Sequence, residues 1–137
     1  MYSVNKFNIV KIFVLVGVIL SSSSCESIAN MQSEKKEQEL LKKVELASAI
    51  YYCEDEKPYP SNETDEDYQR RRNRIEAERQ NLELTEIRAK QGGLTEEAIQ
   101  EARDAGEAKG RRYIAQKIAS NNYNIYCKGS YTFTGED

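Results

Sequence analysis

The stretch Ala89-Lys90-Gln91-Gly92-Gly93-Leu94-Thr95-Glu96-Glu97-Ala98 decides the fold. Two adjacent glycines stop a helix, because glycine adopts the left-handed backbone that closes a helix C-terminus. Thr95 with Glu96 and Glu97 starts the next one: a hydroxyl can cap free backbone N–H groups, and carboxylates complement the positive end of the helix dipole. So short a connection predicts an antiparallel helical hairpin.

Upstream of that turn, Thr64 followed by acids at 65, 66 and 67 is a second start signal, so the first arm of the hairpin is expected to run from there to Gln91. Tyr68, Ile75, Leu82 and Ala89 recur every seven residues, with Leu84 and Ile87 alongside, a narrow stripe resembling a coiled-coil seam. Glu66 with Arg70 and Asp67 with Arg71 fall at i,i+4 spacing with the acid first, which makes the arginine run a salt-bridged surface rather than an anion site. The second arm, to about Asn121, places Ala98, Ala102, Gly106, Gly110, Ile114 and Ile118 at intervals of four. Each helical glycine costs about 1 kcal/mol against alanine, so the small residues are read as a surface for close helix packing.

Working outward, Leu40, Leu41, Val44, Ala47 and Tyr51 follow helical spacing, and Pro58 and Pro60 end that helix in a connector from Lys57 to Thr64. After Asn122 the composition turns to Tyr, Asn, Thr and Gly, and Ile125, Cys127, Tyr131 and Phe133 suggest an extended tail. The expected fold is all-α: a small three-helix bundle built on the antiparallel hairpin, with a short extended C-terminal tail tied back by one disulfide.

At the N-terminus, Lys6 and Lys11 precede an apolar run, Ile12 to Leu20, which gives way to Ser21-Ser-Ser-Ser-Cys25. A charged start, a short apolar stretch and small residues describe a secretory signal. Nine apolar residues fall short of the ~20 that span a bilayer as a helix. The small residues before Cys25 resemble the lipobox of bacterial lipoproteins, with Ser22 where a leucine is usual. That resemblance implies cleavage before Cys25 and lipid attachment to it. A second cleavage site follows Ser27-Ile28-Ala29 and would discard Cys25. The corresponding organisation is a signal peptide over 1–24, a flexible tether over 25–38 and a helical domain over 39–137.

Either cleavage removes the odd cysteine and leaves Cys53 and Cys127. Two thiols in a small exported chain are expected as a disulfide. The hairpin supports this, because it returns the end of the third helix to the end of the first. Closing a loop of 74 positions contributes about 4 kcal/mol on the chain-entropy model. Two cysteines without a single histidine do not make a structural zinc site, so no metal is expected.

The same closure would bring Tyr51, Tyr52 and Tyr59 near Tyr123, Tyr126 and Tyr131. Tyrosines offer rigid area and a polar tip, so these six are candidates for partner binding; the other reading is that they cap a small core. No catalytic residues and no cofactor are expected: the 137 residues include no His and no Trp, and no glycine-rich phosphate loop. The adjacent acids Glu54, Asp55 and Glu56 read as a solvated helix end. From Cys25 onward 18 basic residues face 23 acidic ones, a net charge of −5, which disfavours nucleic acid. The expected function is that of an exported bacterial cell-envelope lipoprotein acting by protein binding, an inhibitor, immunity or exclusion protein and not an enzyme. The alternative is a structural or assembly component of an envelope apparatus, docking or oligomerising through its charged helices. The expected partners are an envelope or exported protein, the membrane through an N-terminal lipid, and a second copy by self-association. The expected location is the envelope, lipid-anchored and facing the periplasm, or else soluble in the periplasm or outside the cell.

Overall fold

The structure, a computed structural model, describes residues 6–128, with side chains from Cys25 onward. Three helices follow in order, α1 (Lys6–Glu56), α2 (Asp65–Gln91) and α3 (Glu96–Ala119), and residues 122–128 form an irregular tail. The chain divides into two units, Met1–Lys36 and Glu37–Asp137. The bundle belongs to the second.

α1 is longer than its apolar spacing indicates, and the stretch 25–38, expected as a tether, is helical and exposed. Between Lys6 and Glu56 there is no proline and a single glycine, Gly17, while 34–39 are Glu, Lys and Gln, all strong helix formers. The large apolar residues of 25–38 are only Ile28 and Met31, both exposed, too few to give the sustained periodic signal by which an amphipathic helix is recognised.

Both expected helix starts are built as capped termini. Thr64 Oγ1 accepts the Asp67 N–H at 3.1 Å, and Thr95 Oγ1 accepts the Ala98 N–H at 3.2 Å. α2 ends in a Schellman motif: Gly93, at φ +97°, donates to the Lys90 carbonyl, and Leu94 to that of Ala89, both at 3.1 Å. α3 ends the same way at Ala119, two residues before the expected Asn121. There Asn121 supplies the left-handed residue at φ 54°, and Asn122 donates to the Lys117 carbonyl at 2.9 Å.

α1 and α3 run parallel and α2 antiparallel to both. Ion pairs fix these directions: Lys109 with Glu45 and Arg111 with Glu56 join α1 to α3 in ascending order, while Glu86 faces Arg103 across the hairpin. The glycine stripe of α3 meets α1. A methyl group at position 106 would stand 2.6 Å from Ser48 Cβ and closer still to the Glu45 carbonyl oxygen; at position 110 it would be 2.7 Å from the Ala49 carbonyl oxygen. Ser48, Ala49 and Cys53 line the facing side of α1 and are fully buried. Small residues on both helices therefore bring the backbones together, and Ser48 Oγ donates to the Arg103 carbonyl at 2.7 Å across this seam.

The apolar core has two ends. Near the Gly92-Gly93 turn, Val44, Ala89, Leu94, Ile99 and Ala102 pack together under Leu40 and Leu41. At the other end Ala49, Cys53, Ile114, Ile125 and Cys127 form a second cluster. The seven-residue stripe of α2 is only half used: Leu82 and Ala89 are buried, whereas Tyr68, Leu84 and Ile87 are exposed. Of the two ion pairs expected on α2, Glu66 with Arg70 forms. Asp67 with Arg71 does not, because Asp67 accepts the Thr64 hydroxyl and Arg71 turns back to Glu63 in the connector.

Candidate functional site

The disulfide end gathers the residues that the sequence singles out. Cys53 closes the buried face of α1, Cys127 lies in the tail, and their Cα atoms are 5.6 Å apart with the sulfurs bonded. Both cysteines are buried. Around the bridge the tail alternates as an extended segment does: Asn124, Tyr126 and Lys128 face out, and Ile125 and Cys127 face in. Ile125 joins the core beside Leu46 and Ile50 of α1, so the tail is held by packing as well as by the covalent bond.

Charge lies beneath this strap. Glu78 of α2 is 6% exposed and takes Lys128 Nζ at 2.7 Å. The hydrogen bond to Glu78 and its charge hold the Lys128 ammonium above its ordinary pKa. Glu54, grouped in the sequence reading with a solvated helix end, is instead 5% exposed, while Asp55 and Glu56 are exposed as expected. Lys57 Nζ neutralises Glu54 at 2.8 Å, with Arg74 more distant at 3.9 Å. Register explains the correction: Glu54 stands three residues after Tyr51 and seven after Ala47, and so continues the apolar stripe of α1.

The tyrosines separate into two groups. Tyr51 and Tyr52 are half-buried and stack edge to face with ring centres 5.0 Å apart. Burial, and then the nearby Asp55, push the Tyr51 phenol up. Tyr52 hydrogen-bonds Arg103, whose guanidinium pKa is raised even though its partial burial opposes the charge. Tyr59 donates its hydroxyl to the Glu54 carbonyl at 2.6 Å and lies under the Arg71 guanidinium, 4.2 Å from ring centre. Burial, reinforced by Glu54, pushes its phenol up to about 12. These three rings are committed to the bundle.

Tyr123 and Tyr126 are different. They are 63% and 67% exposed, and neither makes a ring contact or hydrogen bond among the described residues. Tyr131 lies outside the described residues. A cleft of about 340 Å³ opens nearby between the connector (Tyr59, Asn62, Glu63) and α2 (Asp67, Arg70, Arg74). Its two acids and two arginines offset each other, so it has no charge preference for a ligand of either sign.

Cys25, the residue resembling a lipidation site, is an exposed free thiol. The signal-like side chains of 1–24 lie outside the described residues. Among those described, no helix is long and apolar enough to cross a membrane, and no three acidic or cysteine side chains converge as a metal site would require. Comparison with family models, curated proteins and solved structures finds no match to this chain.

Proposed function

We propose that the chain is an exported bacterial cell-envelope lipoprotein that acts by binding another protein, as an inhibitor, immunity or exclusion protein without catalysis of its own, and that Tyr123 and Tyr126 carry the contact. The supporting observation is two large exposed rings on an anchored backbone: Tyr126 lies between Ile125 at 6% and Cys127 at 1% exposure, and Tyr123 between the end of α3 and Ile125. A surface already ordered before contact loses less freedom on binding, and aromatic anchors are the usual centres of such interfaces. The signal-like N-terminus and Cys25 support an envelope address. The net charge of −5 from Cys25 onward supports a protein partner over nucleic acid.

Affinity purification of the signal-bearing protein from gently solubilised envelopes tests the reading. One partner at equal stoichiometry, lost in a Tyr123→Ala/Tyr126→Ala variant of unchanged melting temperature, is the expected result. Retention of the partner by that variant removes the two rings from the interface. An intact mass that places the N-terminus at Asn30 removes the lipid anchor.

One observation favours the assembly reading: Leu84 and Ile87, three positions apart on α2, are 53% and 51% exposed. Sedimentation at increasing concentration decides between the two, since defined oligomers belong to an assembly component and a strict monomer to an inhibitor.

A further inference from the structure

The bundle and the strap are fastened by different means. The cluster near the Gly92-Gly93 turn draws Val44, Ala89, Leu94, Ile99 and Ala102 from the helices and their turn. The close approach of α3 to α1 sets Gly106 and Gly110 against Glu45, Ser48, Ala49 and Cys53, again helix against helix. Both are complete where α3 ends.

The strap has far fewer fastenings. Asn122 donates to the Lys117 carbonyl, which closes α3, and the Asn124 N–H reaches only the Asn122 side chain, at 3.1 Å. Among the described residues, no backbone hydrogen bond ties 123–128 to a helix. What holds them is the buried Ile125 side chain, the Cys127 sulfur and the ion pair of Lys128 with Glu78. The Lys128 side chain is 68% exposed, so water and salt weaken that pair. Fixing an extended segment costs conformational entropy at every residue, and one isoleucine with one exposed ion pair does not offset it. The covalent bond supplies the difference.

We propose that the Cys53–Cys127 bond is the switch for partner binding: its formation lays the strap down and creates the Tyr123/Tyr126 surface, and without it the bundle stays folded while the strap is released. The proposal rests on the contact assigned above to those two rings. The bond forms by exchange with a disulfide-bearing oxidant. One cysteine thiolate attacks the oxidant's disulfide and expels one of its sulfurs as a thiolate; the second cysteine, deprotonated in turn, then displaces the other. Two protein thiols end as a disulfide, and the oxidant's disulfide ends as two thiols carrying the protons given up. Both protein sulfurs are buried once joined, so they are open to exchange before the strap is down and shielded afterwards. A chain still in a reducing compartment therefore presents no partner surface, and export to an oxidising one creates it.

Two measurements on the full chain separate a switch from a staple. Chymotrypsin cuts after tyrosine: cuts after Tyr123 and Tyr126, read by mass after quenching, report the strap, and cuts after Tyr68 of α2 and Tyr113 of α3 report the bundle. Reduction with a phosphine should speed the strap cuts several-fold, leave the helix cuts and the helical circular dichroism unchanged, and be reversed by glutathione disulfide. In envelope purification without reductant, Cys53→Ala/Cys127→Ala should lose the partner that the oxidised parent retains. Helices that melt on reduction, or helix cuts that rise together with the strap cuts, make the bond a staple of the whole fold and overturn the proposal. Strap cuts that reduction leaves unchanged overturn it too, as does a partner still held by Cys53→Ala/Cys127→Ala. A partner kept by Tyr123→Ala/Tyr126→Ala is a different failure: the contact itself is then misassigned, and the switch falls with it even where reduction releases the strap.

Discussion

Replacing Gly106 by alanine sets two effects of known sign against each other. In a helix interior the change gains about 1 kcal/mol of intrinsic propensity. Against this, the new methyl would stand 2.6 Å from Ser48 Cβ and 3.0 Å from the Ala49 nitrogen, with the Glu45 carbonyl oxygen nearer still. Two of those three neighbours are backbone atoms of a helix and cannot turn aside as a side-chain tip can. α1 and α3 must separate, loosening Ser48, Ala49 and Cys53 together. Overpacking of a well-filled site costs about 1–3 kcal/mol and occasionally more, and a clash against backbone belongs at the upper end. The net expectation is a loss of about 1–2 kcal/mol, which for a domain of this size lowers the melting temperature by about 5–15 °C. Thermal unfolding followed by circular dichroism with the disulfide intact measures it. A melting temperature that rises would mean that propensity decides, and would refute the glycine-mediated seam.

Three further outcomes are expected. Cys53→Ser/Cys127→Ser should cost about 4 kcal/mol in urea unfolding, from the 74-residue separation, and reduction of the unfolded parent chain should add two hydrogens to its mass. Ser48→Ala should cost about 1 kcal/mol by removing the buried hydrogen bond to the Arg103 carbonyl; Ser48→Val should cost more, because the added methyls face Gly106. In an alkaline titration followed by phenolate absorbance, one tyrosine should stay protonated to about pH 12, and Tyr59→Phe should remove it. Because the folded value lies above the ordinary phenol value of 10.0, the stability Tyr59 contributes is complete below pH 10 and lost as pH rises toward 12.

The helix limits around the hairpin were legible because they are written in local chemistry: Thr64 and Thr95 as caps, Gly93 as the left-handed residue. The disulfide was legible from topology and from having only two cysteines left to pair. Less legible was which helix the small residues of α3 would touch. Spacing of four marks a close approach but names no partner, and the stripe meets α1 rather than its neighbour in the hairpin. Glu54 and Glu78 were missed although the signal was present. Glu78 lies between Ile75 and Leu82 on the same stripe, and a charged residue in core register reads as surface until its cation is known. The cations, Lys57 and Lys128, come from the connector and the tail, where periodicity says nothing. The helical character of 25–38 was missed for the opposite reason, since Ile28 and Met31 alone, both exposed, do not make a sustained apolar stripe.

The parallel pairing of α1 with α3 also sets an order of events. The α2–α3 hairpin is local and can close early, but α1 has no complete surface to join until α3 exists. A chain made from its N-terminus presents Cys53 long before Cys127, 74 positions later. Until then its thiol lies beside the unfilled site of Ile114 and Ile125. The bridge thus works as a mark of completion: a chain cut short anywhere before Cys127 keeps a thiol at Cys53, and labelling read at the Cys53 peptide, separately from the exposed thiol of Cys25, would count unfinished molecules.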